Sequence, residues 1–188
     1  MIGSVHIRHA LRTDVREIAR VHVDAVRVAY RNIYADEHLK TLSADRMADN
    51  WLHEEKGHLV HSEYVVFVAL IDDKIIGFAD IGPTAFKAVA ELYAIYLDSA
   101  YIGKGVGSSL FRKCIESAKQ RGFQAMKLTV LSANYVARVF YERMQGHALP
   151  ETEIEIVTGG TRAKIITYAW PDLSVVRNEG RGQNHRVL

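Results

Sequence analysis

Three glycines fall within five positions, Gly103, Gly105 and Gly107, in the stretch "YIGKGVGSSLF" that spans residues 101–111. An interior helix glycine costs about 1 kcal/mol against alanine, so three together point to a use. A glycine-rich turn that feeds a helix exposes several main-chain N–H groups at once. The first turn of that helix leaves its donors unpaired, and the aligned peptide dipoles place partial positive charge there. Without side chains in the way, an anion can reach the backbone. Gly103, Lys104, Gly105, Val106, Gly107 and Ser108 therefore read as a phosphate cradle.

Several phosphate chemistries use this logic, and the spacing separates them. A P-loop requires G-x-x-x-x-G-K-[ST], but Lys104 precedes the last glycines and Gly107 is followed by Ser108 and Ser109. A dinucleotide fingerprint fits Gly103 and Gly105, yet Ser108 stands where its third small residue belongs. Lys127 occupies the neighbourhood of the acidic residue due about 20 positions on. A nicotinamide-dependent oxidoreductase is thus the weaker reading.

The elements around the loop must position it. "SVHIRHA" alternates as a short strand, and a helix follows, with Thr13 or Asp14 as its cap and Glu17 near the capping-box position. Ile18, Val21, Ala25 and Ala29 share one face of it. "ADEHLKTLSADRMADNWLHEE" offers one or two further helices, the second capped by Ser43. From residue 64 the pattern changes: "YVVFVALIDDKIIGFADIG" reads as a hairpin turning at "DDK". "AVAELYAIYLD" is a strand apolar on both faces and so central in its sheet. After the glycines comes a helix with Val106, Leu110, Cys114 and Ala118 on one stripe, stopped by Gly122. "AMKLTVL" is a strand, "NYVARVFYERM" a helix, and "TEIEIVTGGTRAKIITYAW" a hairpin turning at Gly159-Gly160. The polar stretch 171–188 is expected to be a tail, disordered or draped on the body, behind a single domain of residues 1–170. The order predicts one mixed α/β layer structure.

Composition narrows the function classes. The chain has 188 residues, 48% hydrophobic and 24% charged, with a formal net charge of +2. No Lys/Arg run suggests a nucleic-acid groove, and no uncharged stretch is long enough to span a bilayer. The one cysteine, Cys114, lies on an apolar helical stripe and reads as a core residue, and its solitude suits a reducing, cytoplasmic setting. His53, His58 and His61 match no firm metal spacing, so no metal is expected.

The run "ELYAIYLDSAYIGKGVGSSLF", with "NYVARVFYERM" one strand later, resembles the GNAT superfamily of acetyl-CoA-dependent N-acetyltransferases. Of that family's [RQ]-x-x-G-x-[GA] loop, Gly105 and Gly107 are present, while Ile102 stands in place of Arg or Gln. The "N-x-x-A-x-x-F-Y" run from Asn134 to Tyr141 is a second motif at family spacing. The resemblance implies a mostly antiparallel sheet splayed beside the cofactor strand, flanked by helices. Backbone groups of Ile95, Tyr96 and Leu97 would pair with the pantetheine arm, and Gly103 through Ser108 would surround the pyrophosphate. Asn134 would bond the arm or cap its helix. Tyr141 would lie near the thioester sulfur and protonate the leaving thiolate.

A substrate ammonium must lose a proton before it attacks. Glu91, a carboxylate inside an apolar strand on the parity of Tyr93 and Ile95, is the candidate base, with Asp80 and His22 in reserve. Tyr30 and Tyr34 would line the acceptor pocket, whereas Trp51 reads as core. These expectations describe acetyl transfer from acetyl-CoA to a primary amine of a small molecule or peptide by direct attack in a ternary complex. The alternative is a non-catalytic acyl-CoA-binding module of the same fold. Relatives often dimerise, so a homodimer is among the implied partners.

Overall fold

The computed structural model describes residues 4–176. The alternating runs of the sequence become seven strands: β1 (His6–His9), β2 (Val65–Ile71), β3 (Lys74–Pro83), β4 (Val89–Leu97), β5 (Ala125–Leu131), β6 (His147–Thr158) and β7 (Thr161–Trp170). Five α-helices join them: α1 (Val15–Ala29), α2 (Asp36–Thr41), α3 (Ala44–Trp51), α4 (Val106–Gln120) and α5 (Tyr135–Arg143). The strands form one open sheet in the order β1-β2-β3-β4-β5-β7-β6. Every neighbouring pair is antiparallel except β4 with β5.

That parallel pair carries the feature the site depends on. β4 and β5 are in register only at Val89–Ala125, Ala90–Met126 and Glu91–Lys127. Beyond Glu91, β4 stays on β3 as far as Leu97, while β5 stays on β7 as far as Leu131. The sheet therefore opens into a V, and the β5-facing edge of Leu92–Leu97 has no ladder partner.

Each face of the sheet is covered. Ile18 and Val21 of α1 and Trp51 of α3 pack on Val66, Val68 and Phe78. On the other face Leu110, Phe111 and Ile115 of α4 pack with Phe67, Ile76 and Ala79, a cluster that continues to Tyr168 and Trp170. Full burial of such a side chain contributes roughly 1.5–3 kcal/mol. Trp51 is core, as its spacing suggested, and Cys114 is fully buried.

Three local readings are corrected. Asp14 does not cap α1 with its side chain. Its carboxylate accepts the Leu11 N–H at 2.7 Å and pairs with Arg8 at 2.6 Å, so it closes the 3-10 turn in front of the helix. The second concerns parity in β4. Register slips between Asp80–Ala94 and Ile81–Leu92, which leaves Tyr93 as a bulged extra residue. A bulge reverses the alternation beyond it. Ile95 and Leu97 join Ala90 and Leu92 in the α4-side cluster, while Ala94 and Tyr96 face α1 and α3. Glu91 and Tyr93 thus share a face with Tyr96, not with Ile95. Third, β6 begins at His147, ahead of the expected run, because its pairing with β7 breaks between Leu149 and Ile154 and resumes. Pro150 falls in that break, and Thr152 bridges it by accepting the Thr167 N–H at 3.0 Å.

Past Trp170 the chain remains packed. Leu173 and Val176 enter the α4-side core, and the Leu173 N–H donates to Gln124 O at 2.8 Å. Residues 177–188 of the expected tail lie outside the described residues.

Candidate functional site

The glycine loop sits at the open end of the V, between β4 and α4. Gly103 and Gly105 hold φ of +77° and +88°, the left-handed region that β-carbons disfavour. A Cβ built on either would meet nothing within 4 Å, so the loop's outer surface faces open space. No side chain caps α4. Its first internal bond runs from Ser109 N–H to Gly105 O at 3.1 Å, so the amides of Val106, Gly107 and Ser108 precede the helical ladder. Val106 is buried and anchors the turn. A Cβ on Gly107 would lie 3.4 Å from Leu97 and 3.6 Å from Phe140, which keeps the mouth slim where it meets β4. Lys104 lies over the Tyr101 ring at 5.4 Å, and Ile102 is 51% exposed, giving the loop an apolar shoulder. The cradle suits a diphosphate: donors, a favourable dipole and no obstruction.

From the cradle, the unpaired edge of β4 runs inward past Leu97, Tyr96 and Ile95. Three phenols from three elements meet along it. The hydroxyls of Tyr30, at the end of α1, and Tyr96 share a hydrogen bond of 3.3 Å. Burial pushes the Tyr30 phenol up, and hydrogen bonding to Tyr96 and to Asn134 pulls it back. Asn134 caps α5, its Oδ1 accepting the Ala137 N–H at 3.2 Å. Tyr141 of α5 is 8% exposed. Burial raises its phenol well above 10.0, and Tyr30 adds to the shift, so Tyr141 stays protonated at neutral pH. Tyr96 is likewise raised well above the usual phenol range, by burial first and then by Tyr30 and Tyr141. His22 packs against Tyr96 at 4.6 Å; burial lowers it to about 4, which keeps the ring neutral.

On the α1 face, where the V closes, stand two carboxylates. Glu91 pairs with Lys127 of β5 at 3.3 Å, the last rung of the β4–β5 ladder. Asp80, opposite Ala94, is only 2% exposed and meets His58 Nδ1 at 2.5 Å. Burial raises Asp80 and His58 draws it back. Tyr93 fixes its bulged position by donating to Pro83 O at 2.6 Å.

Tyr34 packs against Tyr30, ring centroids 4.7 Å apart, and is also tied to β6. Its hydroxyl bonds Thr158 at 3.3 Å, and the next residue's N–H, from Ala35, donates to Gly159 O at 3.0 Å. Gly159, at φ +56°, lies so close that a Cβ would come 2.1 Å from the Tyr34 ring. This latch ties the α1–α2 connection to the tip of the β6–β7 hairpin, and so joins the two halves of the split sheet.

The fold brings Tyr30, Tyr96, Asn134 and Tyr141 together at the V. It sets Glu91 and Asp80 on one face near its apex and assigns Tyr34 to the latch. Sequence reading missed the His58–Asp80 pair and the partners of Tyr34. No spacing rule links residues on separate elements, and a lone histidine in a polar loop gives no signal. Among the described residues, no group of three or more His, Cys, Asp or Glu side chains could hold a metal ion. No helix there is long and apolar enough to cross a membrane.

Residues 27–147 match the model of the acetyltransferase (GNAT) family. The chain is 34% identical over 179 residues to the uncharacterized N-acetyltransferase YuaI of Bacillus subtilis, covering 92% of this chain and 96% of that protein. It is 25% identical to the spermidine N(1)-acetyltransferase of Thermoplasma acidophilum, across 80% of this chain and 92% of that one. The crystal structure of the PaiA N-acetyltransferase of Thermoplasma acidophilum, in complex with coenzyme A, superposes with a TM-score of 0.66 at 22% identity, covering 89% of this chain and 99% of that one. A family model spanning more than half of the sequence, and a relative matched almost end to end, establish that the chain belongs to the GNAT acetyltransferase family.

Proposed function

We propose that the protein transfers the acetyl group of acetyl-CoA to a primary amine of a small molecule or peptide, by direct attack in a ternary complex. The observation that carries this reading is the succession of elements along the V. An uncapped helix mouth with left-handed glycines leads into an unpaired strand edge, which ends beside a buried phenol and a pair of carboxylates.

Each part has a task. The amides of Gly103 through Ser108 take the diphosphate, while Ile95, Tyr96 and Leu97 offer main-chain groups to the pantetheine arm, aided by Asn134. The amine attacks the thioester carbon, and the oxygen that becomes negative is held by a main-chain N–H of Tyr96 or Leu97. As the C–S bond breaks, Tyr141 gives its proton to the sulfur and regains one from the attacking nitrogen. Glu91 draws the ammonium toward the apex of the V and is the first candidate to receive its proton. Tyr30 and Tyr34 border the acceptor's path.

Acceptor identity is read by a panel of amines, spermidine included, with release of free CoA thiol as the signal. A chain that binds CoA yet releases no thiol with any amine, or whose thiol release is unchanged in the Tyr141→Phe, Glu91→Gln double variant, is instead a non-catalytic acyl-CoA-binding module. The proposal places the protein in the cytoplasm, off membranes and nucleic acid. It extends to a homodimer through the β6–β7 hairpin, whose β6 is an edge strand; light scattering reads that mass directly.

A further inference from the structure

The geometry points to His58, oriented by Asp80, as the group that takes the proton from the acceptor ammonium. This rests on the acetyl-transfer reading and goes beyond it, because the loop bearing His58 belongs to neither family motif.

Four observations carry it. His58 Nδ1 and Asp80 Oδ2 lie 2.5 Å apart, which assigns the Nδ1–H to the carboxylate and leaves Nε2 as the basic nitrogen. Asp80 is 2% exposed, and its Oδ1 is buried without a partner among the described residues. An apolar residue would fill that position in the sheet at lower cost, so a charge kept there argues for use. The imidazole is clamped face to face on Tyr64, with centroids 3.6 Å apart and planes 7° apart, so its orientation is fixed. Its edge meets the ring of Tyr93 at 4.9 Å. Tyr93 is the bulged residue two positions past Glu91, where β4 and β5 part, so His58 stands one aromatic ring from the apex of the V.

His58 is not sealed in. Its side chain is 22% exposed and lines a surface concavity of about 280 Å³ that also holds His9, His61 and Tyr64, an exit for the proton to solvent. The titratable groups facing the imidazole are Asp80 from β3, Tyr64 ahead of β2 and Tyr93 from β4, with His9 and His61 across the concavity.

The proton balance closes. His58 Nε2, through bridging water, takes one proton from R–NH3+ and later releases it to solvent. The freed lone pair forms the C–N bond, the C–S bond breaks, and the second nitrogen proton passes by way of Tyr141 to the sulfur. His58 thus takes over the base's role first considered for Glu91, which instead attracts and orients the ammonium, so loss of Glu91 raises KM, whereas loss of His58 lowers kcat.

The first test needs no acceptor. In uniformly 15N-labelled protein, the neutral form of His58 should be the Nδ1–H tautomer, and its Nε2 signal should move when acetyl-CoA is added. Shifts at the Gly103–Gly107 amides report binding separately, so failed cofactor binding is distinguishable from a wrong base. An Nε2–H tautomer, or an Nε2 signal unmoved while the loop amides shift, overturns the assignment.

The second test uses the panel amine with the fastest turnover. His58→Gln should lower kcat about 100-fold or more at neutral pH, with CoA affinity within error of the parent. Its rate should climb about tenfold per pH unit, following the free amine, and the deficit should shrink for acceptors of lower amine pKa. Asp80→Asn should show the same pattern more weakly. A loss equal for all acceptors whatever their basicity, or no loss, refutes the role.

Discussion

Replacing Gly105 by alanine separates backbone strain from ligand contact. At φ +88° a β-carbon costs about 1–2 kcal/mol, and no protein atom lies within 4 Å to add a clash. In a chain of this length each kcal/mol lowers the melting temperature by about 2–4 °C. If the loop amides hold the diphosphate, the new methyl also crowds the ligand and displaces one charge-assisted hydrogen bond, worth about 1.5–3 kcal/mol. CoA affinity should then fall roughly 10- to 100-fold. Gly122 supplies the control. It has φ +85° and equally open surroundings, but it ends α4 at the far end from the cradle. Gly122→Ala should cost the same stability and leave CoA affinity unchanged. Calorimetric titration with CoA, beside thermal melts of both variants, decides the matter. Equal CoA affinity in the two variants would refute the cradle.

Further outcomes follow from named contacts. Tyr141→Phe should lower kcat by about 100-fold, since a positioned proton donor typically contributes that much, while CoA affinity stays within threefold in the same titration. Gly159→Ala forces a methyl into the Tyr34 ring and should destabilise the fold by about 1–3 kcal/mol, read by thermal melts, and raise KM for the amine while CoA affinity holds. Asp14 is held below its ordinary 3.8, chiefly by the hydrogen bond from Arg8. A carboxyl depressed in the folded state contributes stability above its unfolded pKa, and that contribution is lost as pH falls below about 3.8 through the folded value. Arg8→Ala should therefore flatten the acid limb of the stability curve, measured by denaturant melts from pH 2 to 7.

How far the sequence foretold the molecule depended on the range of the interaction. Strand β5 was legible residue for residue because "AMKLTVL" carries its own pattern, and the Ser43 cap because a cap is made with the Arg46 N–H three positions away. The glycine loop was legible because the need for positive φ and open backbone is written in residue type. The V was implied only by family resemblance, since a strand pair that stops after Glu91 looks in sequence like one that continues. The bulge at Tyr93 left no mark either, yet it moved Ile95 to the opposite face from Glu91. Asp80 and His58 are brought together by the loop between α3 and β2 folding back on β3. Tyr34 and Gly159 meet only because the hairpin reaches back across the sheet. Such pairings are settled by tertiary packing, where local pattern carries no information.

What the mouth of α4 holds decides whether this loop is a diphosphate cradle. A crystal structure with bound CoA should place the diphosphate against the amides of Val106, Gly107 and Ser108, with the pantetheine arm along the free edge of β4 and its sulfur beside Tyr141. A diphosphate seated elsewhere, with β4 and β5 zipped together past Glu91, would contradict it.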